Sequence, residues 1–113
     1  MILYVELWNA RQTWLDMSEE ERAAYMKEVE PAIEETTTWG LELVGWSVVN
    51  QKGHHDAGYR YLSVWKIPDE ETVQKLEATV EQAGWHRYFE QVNAWGSLAG
   101  PDEVIGDMIQ TGA

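Results

Sequence analysis

The sequence predicts an α+β domain: one four-stranded antiparallel sheet with two helices on one face. Three observations lead there. Aromatic-rich runs with strand-like alternation stand at the start, middle and end of the chain (ILYVELW, GYRYLSVWKI, VNAWGS). Between them lie two segments with helical apolar spacing, each opened by a capping residue. The length of 113 residues suits one domain, taken as residues 1–113.

The elements follow in order. Over residues 2–8, Tyr4, Glu6 and Trp8 share one strand face and Leu3, Val5 and Leu7 the other. A loop from Asn9 to Met17 carries Trp14 and Leu15. Ser18, with Glu21 three residues on, makes a capping box that opens a helix. Arg22, Met26, Val29, Ile33 and Thr37 keep its spacing; Pro31 should kink or restart it, and Gly40 should end it. Leu41–Gln51 reads as the second strand, Lys52–Gly58 as a polar turn and Tyr59–Ile67 as the third strand. Asp69 caps a helix whose stripe is Val73, Leu76, Val80 and Ala83, stopped by Gly84. Trp85–Gln91 reads as a short helical turn with Trp85, Tyr88 and Phe89 inward, and Val92–Ser97 as the fourth strand. Pro101 opens a tail helix over about residues 101–110, expected to bury Val104, Ile105, Met108 and Ile109. This βαββαβ order is the ferredoxin-like split βαβ arrangement. Its helices cover one sheet face, yet Leu3, Val5, Leu62 and Val64 make the other face apolar as well. A second copy of the chain is the simplest cover.

Composition narrows the partners. A formal net charge of −12 opposes nucleic acid and anionic membrane surfaces. Without cysteine there is no disulfide, thiolate metal site or cysteine nucleophile. No apolar run reaches the roughly 20 residues of a membrane span, and Glu6 and Asn9 interrupt any signal-peptide pattern, so a cytoplasmic protein is expected. No glycine-rich phosphate loop and no nucleophile elbow occurs.

Where the third strand runs into a capped helix (SVWKIPDEE), and where the segment GWHRYFEQVNAWG enters the last strand, the chain resembles the dimeric α+β barrel superfamily. The likeness is to an uncharacterised branch related to antibiotic-biosynthesis-monooxygenase-like proteins. It implies ferredoxin-like sheets packed face to face in a homodimer. The aromatic strand faces point to a small aromatic or apolar ligand, and the resemblance implies monooxygenase-like, cofactor-independent action, with cyclase or isomerase chemistry beside it. One alternative is heme binding or degradation. Asn9, Trp65 and His86 are similar to an asparagine, tryptophan and histidine set of the heme-degrading monooxygenases, although Asn9 lies later along its strand than in that pattern and Trp65 lies farther from His86. The other alternative is a non-catalytic binding module, since fold does not dictate function.

The candidate catalytic residues are Glu6, His86 and Tyr61. Glu6 lies between two aromatics on one strand face, where a carboxylate is costly to bury alone. It is a base if that face looks into a cavity, and structural if Arg60 or Arg11 pairs with it. His86 is a general base or axial ligand in an aromatic segment, or a surface residue beside Arg87. Tyr61 shares a face with Tyr59, Ser63 and Trp65 and brings a hydroxyl. The candidate ligand-binding residues are Trp8, Asn9, Tyr59, Trp65, Asn93 and Trp95; cross-strand packing is the competing role for the strand aromatics, and a buried hydrogen-bond network for Asn93. His54, His55 and Asp56 are metal-ligand types, but adjacent residues point apart, so a solvated turn is expected and no metal site.

Overall fold

The computed structural model describes residues 1–111. Its elements are β1 (Ile2–Ala10), a single-turn α1 (Gln12–Leu15), α2 (Glu19–Glu35), β2 (Glu42–Val48), β3 (Tyr61–Ile67), α3 (Glu70–Gln82), β4 (Phe89–Ser97) and α4 (Pro101–Gln110). Short 3₁₀ turns at Thr36–Trp39 and Trp85–Arg87 link α2 to β2 and α3 to β4. The sheet order is β2-β3-β1-β4, with every neighbouring pair antiparallel. This is the ferredoxin-like α+β fold.

The helix starts follow local chemistry. Ser18 Oγ accepts from the Glu21 amide while the Glu21 carboxylate accepts from the Ser18 amide, a reciprocal capping box. Asp69 accepts from the backbone and hydroxyl of Thr72. Those bonds hold the Glu21 and Asp69 carboxyls below their ordinary range. Gly40 (φ 84°) and Gly84 (φ 73°) turn the chain through left-handed backbone at the two helix-to-strand corners.

Several boundaries differ from the sequence reading. α2 runs unbroken through Pro31, which stands exposed. Its buried residues are Tyr25 and Val29, and the 3₁₀ turn that follows rephases the chain so that Thr36, not Thr37, points inward. β2 and β3 are shorter than expected, so Tyr59 falls in the connecting loop. β4 begins at Phe89, three residues early, because the helical turn before it closes within Trp85–Arg87.

Alternation sends Ile2, Tyr4, Glu6 and Trp8 toward the helices, and register sets them beside Ile67, Trp65, Ser63 and Tyr61 of β3. Two apolar clusters fill that layer. One joins Ile2, Tyr4, Leu41, Trp65, Ile67, Val73 and Leu76; the other joins Trp8, Tyr25, Val29, Trp85 and Phe89. The Tyr25 hydroxyl donates to the Ala83 carbonyl at 2.8 Å and ties α2 to the end of α3. Burial raises its pKa above the ordinary phenol value.

The tail helix corrects the sequence expectation most sharply. Val104, Ile105, Met108 and Ile109 are 51, 50, 68 and 78% exposed, and α4 buries no residue. The radius of gyration is accordingly 16.3 Å, against roughly 13 Å for a compact chain of this length. The smallest dimension, 23 Å, is that of one sheet plus one helix layer.

A tryptophan-walled cavity closed by a buried carboxylate

At the seam between the two clusters lies a small cavity of about 60 Å³. α2 contributes Val29, Ala32 and Ile33, α3 contributes Leu76, Thr79 and Val80, and four tryptophans (Trp8, Trp46, Trp65 and Trp85) form much of the remaining wall. The polar groups on that wall are Glu6, Gln91, Thr36 and Thr79. A wider cleft of about 390 Å³ abuts it toward β2 and shares Trp8, Trp46 and Trp85. Trp46 stands edge-on to Trp8 (centroids 5.1 Å apart), is 45% exposed and lines both spaces. Its strand, β2, is an edge strand with a register irregularity between Leu43 and Gly45.

Glu6 sits at the centre of the sheet, opposite Ser63 on one side and Asn93 on the other. It is 7% exposed. Oε1 accepts from Ser63 Oγ (2.6 Å) and Trp65 Nε1 (2.7 Å), and Oε2 accepts from Gln91 Nε2 (2.9 Å). Gln91 is fixed in turn, because its Oε1 accepts from Trp85 Nε1 at 2.8 Å. An indole N–H can only donate, so the Gln91 nitrogen must face Glu6. Both carboxylate oxygens therefore meet a donor. No cation among the described residues shares in this: Arg11 donates to the His86 carbonyl and Arg60 to the Tyr61 hydroxyl, so the ion pair considered from sequence does not form. Three neutral donors hold the carboxylate.

Behind Glu6 opens a polar recess of about 220 Å³ whose lining includes Tyr4, Glu77, Glu81, His86 and Asn93. The Tyr4 hydroxyl donates to Glu77 at 3.2 Å. Burial first, then the charges of Glu77 and Glu6, pushes its pKa well above the ordinary phenol value. His86 is partly exposed, with Nε2 3.8 Å from a Glu81 oxygen.

The structure thus brings together Glu6, Trp8 and Trp65 on the cavity wall. It places His86 and Asn93 with Glu6 on the recess, and Tyr61 on the outer cleft, stacked on Trp8 at 5.8 Å. Asn9, Tyr59 and Trp95 line none of these spaces. Asn9 clamps the hairpin loop, donating to the Gly58 carbonyl (3.1 Å) and accepting from the Arg60 amide (2.8 Å). Trp95 flanks Tyr4 on the edge strand and is 45% exposed. Asn9, Trp65 and His86 do not converge. Alternation puts Asn9 on the opposite sheet face from Trp65, the Trp65 N–H is bonded to Glu6, and His86 faces carboxylates. These three residues do not form a heme site.

Gln91, Trp46 and Trp85 are site residues that the sequence reading does not single out. Assigning Gln91 to the helical turn hides it, although the alternation Phe89, Gln91, Asn93, Trp95 is a strand signal.

Fold and site together define a small α+β protein with an aromatic cavity over a buried carboxylate. The chain belongs to a family described as "Family of unknown function (DUF6616)", whose profile matches residues 1–111. No curated protein matches. Among solved structures it is similar to a crystal structure titled putative chlorite dismutase TA0507, with TM-score 0.70 and 13% identity over 93% of this chain. The chain spans about half of that structure, 47%. It is also similar to At3g17210 from Arabidopsis thaliana, with TM-score 0.61, 10% identity, and 88% of this chain and 97% of that one covered. At these identities the likeness is one of fold. Among the described residues, no helix is long and apolar enough to cross a membrane.

Proposed function

We propose that a homodimer of this chain binds a small aromatic or apolar molecule in the tryptophan-walled cavity and acts on it by proton transfer to Glu6. One observation carries this reading: a buried carboxylate with no cation among its bonded partners forms the polar end of an otherwise apolar cavity. A carboxylate is costly to bury, and this one is held by neutral donors alone at the edge of an apolar space. The chemistry is the first step common to cofactor-independent oxygenation, cyclisation and isomerisation. Glu6 takes a proton from the ligand, and the electron pair stays on the ligand. The enclosed volume is below the roughly 150 Å³ of a cavity that holds benzene, so the ligand displaces Trp46 and extends into the outer cleft.

The test is calorimetric titration with small phenols and fused-ring aromatics, repeated on Ala32→Phe, which fills the cavity from α2. Saturable binding that Ala32→Phe abolishes, with the far-UV circular dichroism kept, supports the reading. Binding unchanged by that substitution overturns it.

The second copy belongs to the same proposal. The open face carries Leu3, Val5, Leu7, Leu62, Val64 and Val92, with its charges (Glu42, Lys66, Glu90) toward strand ends. Four strands of about seven residues cover roughly 400 Å², and α4 adds roughly 150 Å² of footprint. That flat area understates a corrugated surface and approaches the roughly 800 Å² per partner of a stable interface. Light scattering should give twice the chain mass, and Val64→Lys should halve it. A wild type that stays monomeric at about 100 µM, where an interface of standard size is fully formed, refutes the dimer.

A further inference from the structure

The hydrogen bonds already made on the cavity wall narrow the ligand further; the inference rests on the ligand cavity proposed above. Most polar hydrogens of the wall are already spent. Trp65 N–H and Ser63 O–H go to Glu6, and Trp85 N–H goes to Gln91. Both Gln91 amide hydrogens are used, on Glu6 Oε2 and on Asn93 Oδ1 (2.8 Å). The Thr36 and Thr79 hydroxyls donate to the Ile33 and Lys75 carbonyls of the preceding turn. What remains unspent is acceptor capacity. Glu6 Oε1 takes two donors, while Oε2 takes one and keeps a site open. The threonine oxygens retain lone pairs as well.

The indole N–H groups of Trp8 and Trp46 and the Tyr61 O–H have no acceptor among the described residues. Trp8 and Trp46 line cavity and cleft alike, and Tyr61 lines the cleft. The site is therefore uneven: the donors bonded around Glu6 are spent and its Oε2 stays open, while the unspent donors belong to the two tryptophans shared with the cleft and to Tyr61.

We infer that this cavity selects flat aromatic molecules bearing an inward N–H or O–H donor, such as indoles, phenols and anilines, and rejects isosteres or anions that present only acceptors. The warrant is the asymmetry of burial. A ligand carbonyl or carboxylate pushed inward would meet the Glu6 carboxylate with no donor to answer it, and so lose its water uncompensated. A ligand donor would instead complete Glu6 Oε2 with a charge-assisted bond. The formal net charge of −12 and the nearby Glu77 and Glu81 add to the discrimination against anions.

The experiment compares matched pairs on the wild-type protein by calorimetry at one salt concentration: indole against benzothiophene, phenol against anisole, and benzoate as the anion. The expected result is a preference of about 10- to 100-fold for each donor member, with benzoate not bound. Glu6→Gln, checked for folding by circular dichroism, should flatten the preference. Equal affinity within each pair, or tighter binding of benzoate, overturns the donor requirement while leaving the cavity reading intact. If none of the five compounds binds, both readings fall.

Discussion

Exchanging the acid and the amide at the centre of the site should show whether three neutral donors hold Glu6. In Glu6→Gln, the new carbonyl can still accept from Trp65 and Ser63, but both bonds lose their charge assistance, roughly 1 kcal/mol together. The new NH₂ then faces the Gln91 NH₂, which cannot turn away because Trp85 N–H holds its oxygen at 2.8 Å. A donor set against a donor in a buried place costs about 1–3 kcal/mol. The total is about 2–4 kcal/mol. For 113 residues the unfolding entropy makes each kcal/mol worth about 4 °C, so Tm should fall by roughly 8–16 °C. Adding Gln91→Glu restores every pairing in reverse. The amide introduced at position 6 donates to the carboxylate introduced at position 91, Trp85 N–H donates to the other oxygen of that carboxylate, and the Asn93 amide rotates to donate. Most of the lost Tm should return. The assay is thermal unfolding by circular dichroism on wild type, both single variants and the double. Additive losses, with the double variant the least stable of the four, would refute the network as drawn.

Three further outcomes follow from the same geometry. Tyr4 and Tyr25 have raised pKa values in the fold, so their neutral forms stabilise it fully below the unfolded phenol value of about 10, and that contribution is lost as pH rises through the folded values. Urea midpoints should fall above about pH 10, and Tyr4→Phe should flatten that fall; an equally steep fall in the variant would sink the assignment to Tyr4. Trp46→Ala removes a side chain that lines both cavity and cleft. Because Trp46 is 45% exposed, about 1–2 kcal/mol of stability should be lost, while tricyclic aromatics gain affinity over bicyclic ones, read by titration. Hemin titration should give no Soret band that depends on His86, because that side chain faces Glu81 and its supposed companions lie elsewhere; a saturable band abolished by His86→Ala would reverse this.

Much of the fold is legible along the chain because its determinants are local. Ser18 with Glu21, and Asp69 with Thr72, are neighbours in sequence, and strand alternation fixes which side of β1 carries Tyr4, Glu6 and Trp8. What stays hidden depends on partners far apart. Glu6 meets Ser63, Trp65 and Gln91 only through register across β3 and β4, at separations of 57, 59 and 85 residues. A strand start misplaced by three residues is enough to lose Gln91. Asn9 reads as a ligand residue because its type allows it, yet its partners are loop backbone atoms at separations of 49 and 51 residues. α4 has an apolar stripe that reads as core, and only the packed chain shows that it stays exposed. The elements, their order and the two-layer class are written in the linear chain, since propensity, capping and periodicity act over a few residues. Which polar groups are already satisfied, and which acceptor stays open, emerges only on folding, because that depends on every neighbour at once.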